Sequence, residues 1–171
     1  TINNVINKDY KFELFDIIDC PMKKTQLDVY NKIIKLKKEK EEASTIWATE
    51  SQISNFVFQS LEDSGQDFND CYGEQGFKSI TIKNKDGTYQ FKEEKYGLNF
   101  MGNNLMAFSN KIAMIIENIS KSVGPVFIYS NYIWGGLCPV ILALEMNGYK
   151  KYKSNKPFLN NNYKSKDYKG D

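Results

Sequence analysis

Residues 124–149, GPVFIYSNYIWGGLCPVILALEMNGY, decide how this chain is read. Val126-Phe127-Ile128-Tyr129 is a short, continuous apolar run after Gly124-Pro125. That is the pattern of a strand buried on both faces of a parallel sheet. Ser130-Asn131 closes the run with small polar side chains, and a Gly135-Gly136 pair follows. Pro139 suits the first turn of a helix, where its missing N–H is not needed. Gly148 suits the left-handed residue just past a helix end, with Tyr149 packing back on the last turn. The stretch therefore predicts strand, polar loop, helix and stop, which is half of a βαβ unit. Polar residues at the carboxyl end of such a strand stand where open α/β sheets bind ligands.

Working outward, residues 105–122 predict a helix. Leu105, Phe108, Ile112, Ile115, Ile116 and Ile119 fall at three- and four-residue spacing on one face. Ser109-Asn110 lies inside this periodic stretch and is also placed to cap a helix starting there. The expected fold class is α/β: a partial domain with a mainly parallel sheet flanked by helices. Residues 126–129 form an interior strand of that sheet, between the 105–122 and 139–147 helices, with Ile112, Ile115 and Ile119 buried against it. Asp86-Gly87, between the alternating runs Ser79–Lys83 and Thr88–Lys92, predicts a β-hairpin over 78–92 inserted on that core. Upstream, Lys11–Ile18 alternates as a strand does, and Pro21 ends it. Thr25–Glu42 predicts a helix with a stripe of Leu27, Tyr30, Ile33, Ile34 and Leu36. Its KLKKEKEE end is a solvated face with lysine–glutamate pairs at i,i+4. Ala43–Phe58 predicts a second, shorter helix, and residues 59–76, rich in Gly, Asp and Ser, a long loop. Residues 1–152 make the domain and 153–171 a basic, polar tail.

Composition narrows the chemistry. At 171 residues the chain is long enough for one domain with a real core. There is no histidine, which excludes histidine-based acid–base catalysis and metal ligation. There is no arginine either; all 23 basic residues are lysine. Cys20, Cys71 and Cys138 are odd in number, widely spaced and in no CxxC pair. They predict reduced structural cysteines in an intracellular protein rather than a zinc site or a disulfide framework. No apolar run approaches the roughly 20 residues of a membrane span, so no membrane partner is expected. The first residue is Thr rather than Met, which suggests a piece of a longer chain. No G-x-x-x-x-G-K-[ST] phosphate loop is present, and no Asp-Glu pair follows an apolar strand to hold Mg²⁺. The joint lack of these and of arginine predicts that the chain alone binds no cofactor and does not hydrolyse ATP.

The order G-P-V-F-I-Y-S-N, G-G, A-L-E-x-N-G-Y over 124–149 resembles the first strand–helix of the second RecA-like lobe of superfamily 2 helicases. The version it is most similar to is that of poxviruses and other large DNA viruses, which are related to Swi/Snf-type ATPases. Cys20-Pro21-Met22 with Gln26 and Tyr30, Gln52–Phe58, and Ser109-Asn110-Lys111-Ile112 with Ile115, Ile116 and Ile119 resemble flanking pieces in the same order. The resemblance spans roughly residues 10–150. It implies an ATP-dependent nucleic-acid helicase or translocase, with ATP and Mg²⁺ held by the complete parent protein and a first RecA-like lobe as partner. It places the chain in a virion or host cytoplasm. It also implies that Ser130, Asn131, Tyr132 and Lys111 face a bound single strand, whose phosphates and sugars would be contacted independently of sequence. A different class of function fits the residues without that resemblance: a free-standing, non-enzymatic α/β binding or scaffold module that uses the 78–92 hairpin as its interaction surface.

Overall fold

The structure, a computed structural model, describes residues 17–39, 43–65, 67–153 and 156–160. The strand expected over 11–18 falls largely outside these residues, and Ile17 and Ile18 belong to no strand. Helix α1 (Lys24–Glu39) buries Val29, Ile33 and Ile34 against α2 (Ala43–Asn55). Val29 and Ile33 form, with Ile53, Val57 and Cys71, a small core of their own. Gln26 is buried with them, and its Nε2 donates to the Ile53 carbonyl at 2.8 Å.

Phe56-Val57-Phe58 then leaves the helix and threads through the centre of the molecule, wholly buried. Its backbone is not orphaned there: Val57 N donates to Phe108 O at 3.2 Å and Phe58 N to Cys71 O at 2.8 Å. The expected long loop contains a 3-10 turn, Phe68–Cys71, capped by the Asp67 carboxylate on Asn69 N. Helix α3 (Gly73–Ile80) follows. Its glycines hide it from a propensity reading. They are needed because a Cβ at Gly76 would stand 2.7 Å from the Phe58 ring, so only Gly lets α3 approach that ring.

Strands β1 (Thr81–Lys83) and β2 (Tyr89–Phe91) pair antiparallel as Thr81↔Phe91, Ile82↔Gln90 and Lys83↔Tyr89. The hairpin turn is where Asp86-Gly87 predicts it. Asp86 Oδ1 accepts from Thr88 N and Thr88 Oγ1, and Gly87 takes φ +86°. The outer edge of β2 is covered in turn. Tyr89 N donates to Phe158 O and Asn160 N to Tyr89 O, a parallel bridge between Tyr89 and Leu159. Glu145 holds that segment by accepting from Phe158 N at 2.8 Å and Leu159 N at 2.6 Å.

Helices α4 (Glu94–Leu98) and α5 (Gly102–Phe108) lead to α6 (Asn110–Lys121). The single helix expected over 105–122 is therefore two. Ser109 breaks it at φ −163°, ψ 101° and caps α6, its hydroxyl accepting from Ile112 N at 3.0 Å. A π-helical turn, Ile133–Leu137, runs into α7 (Cys138–Met146). Helix α7 ends as its sequence requires: Tyr149 N donates to Leu144 O and Gly148 N to Glu145 O, with Gly148 at φ +89°. This is the paired C-terminal closure that a left-handed glycine permits. The main core is aromatic. Phe56 stacks on Phe100 at 4.8 Å and meets Phe58 edge-on at 5.0 Å, with Phe77, Phe91, Leu142 and Leu159 around them.

The α/β expectation is overturned. The fold is largely helical, and the described residues hold a single two-stranded antiparallel sheet. Residues 126–129 belong to no strand. The physical reason is the lack of a neighbour: β1 and β2 pair with each other, and β2 with Leu159, which among the described residues leaves no strand beside 126–129. Ile112 is buried at 2 % exposure, but Ile115 and Ile119 are only half-buried, because no sheet lies over them. The chain is thus unlike a RecA-like lobe, which needs a parallel sheet at its centre.

Candidate functional site

Residues 122–144 contain no charged side chain. From Ser122 the chain leaves α6 with extended backbone (φ −78°, ψ 135°) and reaches Tyr132 with extended backbone again (φ −116°, ψ 129°). Between them, residues 125–130 run without turn or bend. Ile128 packs on the main core, whereas Phe127 and Tyr129 on either side are 91 % and 77 % exposed. Val126 is 49 % exposed, and Val123 and Ile133 also face solvent. Among the described residues, no backbone N–H or C=O of residues 124–129 has a hydrogen-bond partner. An exposed apolar cluster on an open backbone gains from cover over both its side chains and its unpaired amides.

The four residues picked out by the helicase resemblance are placed as follows. Ser130 is half-buried, and its hydroxyl accepts from Tyr132 N and donates to Tyr132 O, both at 3.2 Å. A Cβ at Gly136 would stand 2.1 Å from that oxygen, so Gly136 is what admits Ser130 against the π turn. Asn131 is exposed, and its Oδ1 accepts from Tyr129 OH at 2.6 Å. Tyr132 is half-buried and starts the π turn, Leu137 N donating to its carbonyl at 3.0 Å. These three lie together at the end of the open segment. Lys111 is elsewhere, at the start of α6, where its Nζ donates to Asn55 Oδ1 at 3.0 Å. Burial lowers its ammonium pKa below the ordinary lysine value. With Ser109 Oγ donating to Asn55 O and Asn110 Nδ2 to Pro21 O, it ties α6 to the end of α2 and to the chain before α1. No hydrogen bond joins Lys111 to Ser130, Asn131 or Tyr132.

A second concavity, of about 510 Å³, lies between the hairpin turn, α7 and residues 156–158. Its floor is apolar, with Ile141, Leu144 and Phe158, but its rim mixes Lys150 and Lys151 with Asp86 and Glu145. Such a rim selects neither sign of ligand. Among the described residues no buried side-chain nitrogen or oxygen lacks a partner, so no unsatisfied polar group points to a bound molecule. Nor does any cluster of three carboxylates and thiols stand close enough to hold a metal ion. Cys71 and Cys138 are buried thiols whose pKa burial pushes up to about 11, which suppresses the reactive thiolate.

The apolar run 126–129 predicts a sheet interior for Phe127, whereas the structure makes it a surface residue. The signal was present in the absence of charge from Ser122 to Leu144, but it fits a buried strand equally well. No protein-family model, curated protein or solved structure matches the chain significantly. The helicase expectation, with its ATP-binding and RecA-like character, is thus contradicted by the fold and finds no support in comparison.

Proposed function

We propose that this chain is a non-enzymatic binding module that docks a protein through the uncharged face of residues 123–133. The observation that supports this reading is the conjunction of Phe127 and Tyr129 in solvent with unpaired backbone on residues 124–129. Side chains alone would suit many partners. The open backbone groups narrow the occupant to an extended segment, because only another strand can satisfy a row of amides and carbonyls at once. The hairpin, the interaction surface first expected for such a module, is less suited. Phe91 lies in the main core and residues 158–160 already cover the outer edge of β2.

Panning a displayed library of unstructured peptides against the chain tests this reading. The expected winners are uncharged, with aromatic or β-branched residues at alternate positions, and Phe127→Asp eliminates their capture while helix content is unchanged. Enrichment that survives Phe127→Asp, or no enrichment at all, sinks the reading. Loss of helix content in Phe127→Asp would also count against it, by showing that Phe127 belongs to the core.

A further inference from the structure

We propose that the open segment pairs with the same segment of a second copy of this chain, antiparallel across a two-fold axis. This rests on the docking reading above and names the partner. Three observations carry it.

The first is charge. Sheets protect free edges with lysines, prolines and inward charges. Here the span between Lys121 and Glu145 carries no charge, and Pro125 stands only at its upstream end. Nothing on this edge repels an identical one, whereas a partner strand bearing charges would leave them facing apolar side chains.

The second is geometry. Ile128 faces the core, and Phe127 and Tyr129 face away, which is the alternation of a pleated strand. A two-fold axis makes such an edge self-complementary, since each N–H···O=C bond is repeated by the operator. An axis normal to the new sheet keeps every residue on its own face, so only residues of like parity oppose each other. Centred on Phe127, this register sets Phe127 opposite its equivalent and Val126 opposite the equivalent of Ile128. Pro125, which has no N–H, falls at the end of the ladder, where the loss is least.

The third is size. An aromatic side chain covers about 150–250 Å², so Phe127 and Tyr129 at their present exposure offer roughly 300 Å² per copy. With exposed Val123, Val126 and Ile133 added, the apolar area available on two copies is of the order of the roughly 1,200 Å² that the smaller stable interfaces bury.

The test follows molecular mass by light scattering across a dilution series, with amide exchange on the same samples. The expected result is a concentration-dependent dimer in which the amides of Phe127 and Tyr129, the donors on the paired edge, become protected as dimer forms. Phe127→Ala weakens it at least tenfold. Phe127→Pro abolishes it, because the central donor is removed while the residue before proline is kept extended. A chain that stays monomeric at all concentrations overturns the proposal. If that monomer still captures uncharged peptides, the docking reading survives and a foreign strand is the occupant; if it captures none, both fall. A dimer that forms without protection of Phe127 and Tyr129, or that survives Phe127→Pro, uses another surface and also overturns the proposal.

Discussion

Two apolar runs in this chain have similar sequences and opposite fates. Phe56-Val57-Phe58 is wholly buried; Val126-Phe127-Ile128-Tyr129 has one residue against the core and the others facing water. The difference lies in what surrounds them. Residues 56–58 find Phe77, Phe100 and Ile53 for their side chains, and Phe108 and Cys71 for their amides. Residues 126–129 find the main core for Ile128 and, among the described residues, nothing along their backbone. An apolar run states that a surface favours cover. It does not state that the cover belongs to the same folded unit.

The largest expected effect lies on the buried side of that comparison. Phe77→Ala removes a ring in contact with Phe58, Tyr89 and Trp134, and should cost about 3–5 kcal/mol in urea unfolding. A loss under about 1 kcal/mol would show that the aromatic core is loosely packed.

Gly136→Ala sits at the junction of the two regions. Its Cβ would meet Ser130 Oγ at 2.1 Å and Ser130 Cβ at 3.1 Å, so overpacking of about 1–3 kcal/mol is expected. Combining it with Ser130→Gly should recover much of the loss; strictly additive effects of the two changes would refute the contact.

Alkaline pH separates the regions differently. Cys71 and Cys138 titrate at about 11 when folded, above the roughly 8.5 of a free thiol. The unfolded chain therefore loses these protons first. The stability they contribute is complete below about pH 8.5 and is lost as pH rises towards 11. The Cys71→Ala/Cys138→Ala chain should show a shallower decline over that window in urea midpoints measured against pH; an unchanged slope would mean the thiols are not shielded.

The smallest effect is predicted on the open side. At concentrations where the chain is monomeric, Phe127→Ala should shift unfolding by no more than about 0.5 kcal/mol, as exposed substitutions do. A cost of several kcal/mol would place Phe127 in a core and erase the comparison.

Local signals with a strict stereochemical cause were legible in the sequence. Asp86-Gly87 marks the hairpin, Gly148 and Tyr149 mark the end of α7, and Ser109 marks a cap inside an otherwise continuous stripe. Each depends on one or two residues and their own backbone. What was not legible depends on partners far along the chain. Nothing in 126–129 says whether a neighbouring strand exists, and nothing in α3 says that Gly76 is there for Phe58. The same limit applies to the site. The uncharged span is plain in the sequence, but its exposure is not, nor is the α2–α6 junction at which Lys111 donates to Asn55. The resemblance to a helicase lobe joins local elements to a parallel sheet that the described residues do not form.

The bridge from Tyr89 to Leu159 has a consequence for synthesis. Leu159 is fully buried in the main core, yet it lies 70 residues downstream of Tyr89. At about 5–20 residues per second, the ribosome needs roughly 4–14 s to make that connecting stretch. Until then the outer edge of β2 has no neighbour and the aromatic core lacks one wall. Nascent chains stalled before Pro157 should therefore be cut by protease within the hairpin, and chains extended past Asn160 and clear of the tunnel should resist. The order in which this molecule is made thus leaves its core open until almost the last residue described.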